Sequence, residues 1–544
     1  MASSIPDLLQ PEPRLRIDVE QTRLALNLAF AGGTSGGVFE EALERATLPA
    51  SSWQPAGFVN DLFLSRFVAG CFKIQIGQRE LQPITSHLVR VLARPPRSPE
   101  AVGFRRGILA ELHTTPSLRR QLEMLYLELW RLRAQLENTG GARDWDPVRR
   151  QLDVLATVKE IFDRMAELSG TSPGLVALAR YAQTVRAGEP FRSLSDLLRY
   201  DERLATLSLN VGIGADGRIR GFEIINVQED TDNPFVSPAW RRWLAKLELF
   251  LRGYRFGDGE VMARLIDAVF TGLEQELVCL VQLLGDVELY LGALGFADQA
   301  AEHGLSVCLP EFVSPDAPRD LEGLFNPLLM ISGIEPVPCR VQTGKLASTT
   351  LVTGPNSGGK TRLLQSLALA QLLAQSGLFI PASRGAIAPS SGLVVSLIQE
   401  AKADQAEGRL GTELVRIREL FESLPPGAMV LLDELCSGTN PSEGEEIFEL
   451  VVGMLHQLRP QAFITTHFLA FAARLEHEKK IPDLGFLQVQ LGEDRRATYQ
   501  FVPGVATTSL AGHTAERLGV TGEQLLGLIE RNVKRWQPAP PEGD

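Results

Sequence analysis

The sequence predicts a multidomain protein whose first half is α-helical and whose second half is an α/β domain with a parallel sheet. Three observations predict it. Leucines recur at helical spacing with charges between them over 117–137 (Leu118, Leu122, Leu125, Leu129, Leu132, Leu136). From about residue 311, short apolar β-prone runs alternate with helical segments. One of those runs opens into a glycine-rich turn followed by a helix. The 544 residues exceed one ordinary domain. With 44% hydrophobic and 22% charged residues, the chain is globular and is neither disordered, collagenous nor a small disulfide scaffold. The 54 basic and 66 acidic residues give a net charge of −12, which excludes a chain-wide basic surface and leaves local basic stripes open.

Taken in order, residues 1–57 form an amino-terminal segment and 58–309 the helical region. The stripe over 117–137 starts at Thr114-Thr115-Pro116-Ser117 and stops at Asn138-Thr139-Gly140-Gly141. Further helices are expected over 148–167, 174–187, 192–204, 239–251 and, as one long helix, 259–291. Apolar runs at 207–213 and 219–227 around Gly214-Ala215-Asp216-Gly217 read as a hairpin inserted near 207–227, with a plain structural or a functional role equally open. Residues 310–530 form the α/β domain, with strands expected over 348–352, 392–398, 428–432 and 462–466. The uncharged run 363–383 holds Gln365, Gln371 and Gln375 and is broken by Gly377 and Pro381; it reads as a core helix ending in a turn, not a membrane span. The tail 531–544 is expected to be disordered. Five scattered cysteines without a CxxC pattern read as reduced thiols, and the amino terminus lacks a signal-peptide pattern, so a cytoplasmic location is expected.

Gly354-Pro355-Asn356-Ser357-Gly358-Gly359-Lys360-Thr361 fits GxxxxGK[ST] at every fixed position. Its backbone N–H groups and the helix N-terminus would cradle phosphates. Lys360 would reach the β- and γ-phosphates, and the Thr361 hydroxyl would coordinate Mg²⁺. The apolar run 428–432 ends in Asp433 and Glu434, where sheets place ligand groups. Asp433 would hold Mg²⁺, and Glu434 would orient and deprotonate the attacking water. A third run ends in His467, a candidate γ-phosphate sensor or a structural histidine. Together these motifs predict an ATP-using, ABC-superclass α/β P-loop ATPase domain, in which two copies usually face each other.

The motifs TGPNSGGKT, 377–382 and LDELCSGTNPSEG resemble the ATPase of the DNA mismatch repair MutS family. The Pro-x-Glu-Gly version at 441–444 resembles the recombination-suppressing branch, and 499–520 is similar to the family's closing motif. The resemblance is specific over about 326–526. Residues 92–95, 105–109 and 116–119 are similar to the family's core helices, which makes 259–291 the lever returning to the ATPase. Several positions depart from the family. No room is seen for the mismatch-recognition domain, although Phe39 and Glu41 spell its Phe-x-Glu motif. No Smr domain is seen after 530. Asn326-Pro327 stands for His-Pro, Val337 for the aromatic that packs on adenine in many members, and Gly408 for the signature serine. The resemblance implies a homodimeric ATPase clamp, joined through its ATPase domain, acting on mismatched, branched or distorted DNA in repair or recombination control. Recognition by DNA shape is expected rather than by a single mismatch, with basic residues at 148–150 or Arg241-Arg242 lining the path. The alternative is an ATP-gated clamp on a non-DNA partner such as the ribosome. No membrane partner is expected.

Overall fold

The computed structural model describes residues 5–32, 36–137, 147–203, 206–213, 219–228, 258–397, 408–436, 440–507 and 519–536. The expected helix 239–251, Arg241-Arg242, the tail from 537 and residues 437–439 lie outside them. The chain forms two compact units of mixed helix and sheet.

The first unit comprises Met1–Ser52, Leu64–Glu302 and Leu372–Phe379. Residues 1–52 are therefore part of the helical unit rather than a segment apart. Its helices include Val19–Phe30, Val38–Arg45, Pro99–Thr114, Pro116–Glu137, Pro147–Ala166 and Pro173–Ala187. Four of them begin at proline, whose fixed φ suits the first turn and whose missing N–H costs nothing there. The six leucines of Pro116–Glu137 are all buried. Two hairpins belong here: β1 (Ile74–Ile76) with β2 (Arg79–Leu81), and β3 (Thr206–Ile213) with β4 (Ile219–Gln228).

The single helix expected over 259–291 is instead two, Asp258–Gly272 and Glu274–Glu302. Glycine is a poor helix former, and a Cβ at Gly272 would lie 3.3 Å from Pro190 Cβ. The backbone tightens there, with Leu273 N–H donating to Phe270 O. The second helix has the length and apolarity to cross a membrane, and its apolar window is wholly buried inside the protein. It carries Gln282, Asp286 and Glu288, all fully buried. Asp286 pairs with Arg16 and accepts from Leu8 N–H at 3.0 Å. Gln282 donates to Arg14 O at 2.9 Å, and Glu288 accepts from Ile84 N–H at 2.8 Å and from the Tyr126 hydroxyl at 3.1 Å. A core helix can carry such groups only when partners replace the lost water. Gly295 on the same helix admits the Lys73 carbonyl, which would lie 1.9 Å from an added Cβ.

Two sequence candidates are absorbed by this packing. Phe39 is fully buried in the helix Val38–Arg45. Arg150 donates to the carbonyls of Ala29, Phe30 and Gln135, and Arg149 pairs with Asp153 at 3.4 Å. Arg150 thus holds helices together and is withdrawn from the basic face expected of 148–150, whereas the Arg149 pair lies within its own helix and its side chain is 60% exposed.

The second unit comprises Trp53–Phe63, His303–Gln371 and Ile380–Asp544. One sheet orders β5 (Glu311–Phe312), β9 (Arg384–Ile387), β6 (Arg319–Leu324) and β7 (Cys339–Thr343). The other orders β10 (Leu393–Ser396), β11 (Met429–Leu432), β12 (Gln461–Thr465), β8 (Ser348–Thr353), β13 (Leu484–Leu491) and β14 (Ala497–Pro503). Its first five strands are parallel, and β14 returns antiparallel to β13. Strands β11 and β12 are buried along their whole length, as a sheet covered on both faces requires. Residues 53–63 belong to this unit: Trp53 Nε1 donates to Ser390 O at 3.3 Å, and Asp61 accepts from Leu397 N–H at 2.7 Å.

Candidate nucleotide site

Because β11, β12 and β8 are parallel neighbours, their carboxyl ends open on one edge of the sheet. Strand β8 runs into the loop 354–359, and the helix Lys360–Gln375 follows. Gly354 has φ +138°, and a Cβ there would meet Val489 Cγ2 at 2.7 Å. Gly359 has φ +83°, and its Cβ would lie 3.1 Å from Tyr499 Cδ1. The loop thus needs glycine for both conformation and space.

Lys360 is buried, and its ammonium donates to Gly354 O and Pro355 O, each at 3.0 Å. Burial holds its pKa below the ordinary lysine value, while Glu434 and Asp433 act in the opposite sense. The Thr361 hydroxyl donates to Asp433 Oδ2 at 2.5 Å, and the Thr465 hydroxyl donates to Asp433 Oδ1 at 2.5 Å. Thr465 Oγ1 also accepts the Glu434 N–H at 2.8 Å. Three elements therefore meet at one carboxylate: the P-loop helix, the end of β11 and the end of β12. Glu434 and Cys436 hold left-handed backbone at φ +52° and +60°, a strained arrangement of the kind that gathers at functional sites.

A cavity of about 690 Å³ is lined by Asn356, Ser357, Gly359, Lys360, Thr361 and Val337, among others. Gly354 and Gly358 face Val489 behind the loop. Asp433 is linked to the cavity wall through Thr361, while Asp433, Glu434 and Thr465 are not themselves among its lining residues. His467 follows β12 with its side chain exposed and its ring 4.4 Å from that of Phe468. Gly408 opens the helix Gly408–Ser423.

Sequence reasoning passed over three residues of this site. Thr465 is a ligand of Asp433 only because the register sets β12 beside β11. Asn326, noted only as a departure, caps the short helix Pro327–Met330 by accepting from Leu328 N–H at 2.9 Å. It also donates to Arg362 O at 3.1 Å and to Gln365 at 3.2 Å, which ties that helix to the P-loop helix. Tyr499 lines the cavity, is 45% exposed and has φ +60°. An aromatic residue at the start of the segment similar to the closing motif was the available signal.

Residues 350–527 match MutS domain V. This stretch is similar to the corresponding part of MutS-family proteins. The chain is 34% identical over 193 residues to a Thermus thermophilus protein named Endonuclease MutS2, a stretch covering 36% of this chain and 25% of that relative. It is 32% identical over 185 residues to the Endonuclease MutS2 of Fusobacterium nucleatum (34% and 23% covered). It is also 31% identical over 222 residues to that of Streptococcus thermophilus (40% and 27%). The match thus spans about a quarter of the length of these curated relatives. Within the MutS-matching residues lie the whole P-loop, Asp433, Glu434 and His467, whereas Val337 and Asn326 lie ahead of them.

Proposed function

We propose that this protein is an ATP-dependent DNA-binding protein of the MutS type, a dimeric ATPase clamp in which nucleotide occupancy at the ATPase interface sets helical arms open or closed on DNA. The observation that carries the reading is the single carboxylate of Asp433 shared by Thr361 and Thr465, with Glu434 adjacent. In this reading Lys360 exchanges its carbonyl partners for phosphate oxygens. The Thr361 hydroxyl and the Asp433 carboxylate are converging hard oxygen donors, which fit Mg²⁺. When bound there, the ion supplies charge neutralisation on the β- and γ-phosphates. Glu434 orients and deprotonates the attacking water, and His467 senses the γ-phosphate. Val337 and Tyr499 border the space left for the base.

The substrate in this reading is mismatched, branched or distorted DNA recognised by shape, and the setting is cytoplasmic. The burial of Phe39 supports shape recognition, since a wedge must leave the core to enter a base stack. The nuclease activity in the relatives' name is not carried over, because the match covers the ATPase region alone. The test is binding to mismatched, branched and perfect duplexes with and without ATP, beside ATP turnover. ATP-dependent retention on branched or distorted DNA is expected. Binding that ignores both ATP and DNA structure overturns the proposal.

A further inference from the structure

We propose that Phe63, which lies outside the MutS domain V match, forms a wall of the nucleotide pocket and stacks on the base. This rests on the nucleotide reading of the same cavity. Phe63 is 41% exposed, yet Leu62 and Leu64 on either side of it are fully buried. Its backbone is left-handed at φ +49°, an outlier for a bulky residue. The chain therefore turns this one ring outward between two core leucines, and the ring lines the same cavity as Lys360, Val337 and Tyr499.

The segment that presents it is pinned to the ATPase unit. Trp53 Nε1 donates to Ser390 O at 3.3 Å, and Asp61 accepts from Leu397 N–H at 2.7 Å, Leu397 being itself a wall of the cavity. Phe63 N–H donates to Asn60 O at 3.0 Å, closing the turn that exposes the ring. A strained backbone held by several anchors at a cavity wall is the arrangement that gathers at ligand-contacting positions. The occupant follows from the rest of the lining. The glycine-rich loop and Lys360 take the phosphates at one end, so the flat, apolar face left for an aromatic ring is that of the base. Val337 offers no ring on its own wall, and Phe63 supplies one from a segment remote in sequence.

Calorimetric binding of ADP and of inorganic tripolyphosphate to the full chain tests this. Phe63→Gly removes the ring and also relieves the left-handed backbone, so the fold is not expected to melt earlier. ADP affinity is expected to fall about tenfold, the scale of one base–aromatic stack, while tripolyphosphate affinity stays unchanged. Phe63→Trp is expected to keep ADP affinity and to show tryptophan quenching when ADP binds. The proposal is overturned if Phe63→Gly binds ADP like the wild type, or if both ligands weaken equally. A wild type that binds neither ligand overturns the nucleotide reading itself, and this inference with it.

Discussion

Each unit buries a cation, and the two are held differently. In the helical unit Arg16 pairs with Asp286 and lies 3.5 Å from Asp7, all three nearly or fully out of contact with water. In the second unit Lys360 is equally buried, but its hydrogen-bond partners are two backbone carbonyls. A cation neutralised by carboxylates has no use for another anion. One whose hydrogen bonds go to neutral carbonyls beside a cavity can exchange them for stronger, charge-assisted bonds to phosphate. Burial alone therefore does not separate structural charges from functional ones. The chemistry of the partner and access to a cavity do.

The comparison can be broken from either side. The largest effect is expected from Glu434→Gln, which should lower ATP turnover about 10²–10⁴-fold, the usual range for a general base, with nucleotide affinity held within a few-fold. Loss of ATP binding in that variant, seen by calorimetry, would make Glu434 a ligand or a structural residue. Next, Asp286→Ala leaves Arg16 buried without its main counter-ion and should destabilise the helical unit by about 3–5 kcal/mol in denaturant unfolding. An unfolding midpoint like the wild type's would show that Asp7 alone suffices. Lys360→Ala should do the reverse, weakening ATP binding about 10–100-fold, the range for a charged hydrogen bond, with little change in that midpoint.

The smallest effect concerns Glu288, whose carboxyl is pushed up to about 7, chiefly by burial. The folded protein therefore holds a proton that the unfolded chain releases above about 4.5. Its contribution to stability is present below that pH and is lost as pH rises toward 7. His87 works the other way. Burial, reinforced by Arg16, holds it down to about 3, so stability is lost as pH falls below about 6.5. The two overlap, and the informative quantity is the difference between Glu288→Gln and wild type. That difference should vary by on the order of 2 kcal/mol between pH 4.5 and 7. A flat difference would show that Glu288 is ionised in the folded state.

Periodic helices and the P-loop were legible because they are local. A leucine every third or fourth residue defines a buried face wherever that face lands, and Gly354 and Gly359 are required by the loop's own conformation. The break at Gly272 was not legible, because one glycine in a long apolar pattern does not end a helix unless something presses on it. Here Pro190 lies against it. Arg150 misled for the same reason in reverse. Its residue type suggests binding DNA, but the first 52 residues fold into the helical unit and their carbonyls take its hydrogen bonds, while Phe39 is buried there in a helix despite its Phe-x-Glu context.

The sequence by itself determined the periodic helices, the glycine-rich motif between strand and helix, and the acids at the end of β11, since each depends on residues adjacent along the chain. Only the tertiary structure decided that Thr465 shares Asp433, that Asn326 ties its helix to the P-loop helix, and that Tyr499 and Phe63 line one cavity with Val337. Sheet order is the physical reason. Strand β12 pairs with β8 across more than a hundred residues of chain, and β14 returns beside β13. Contacts made across such distances depend on which strands become neighbours, and no local pattern encodes that choice.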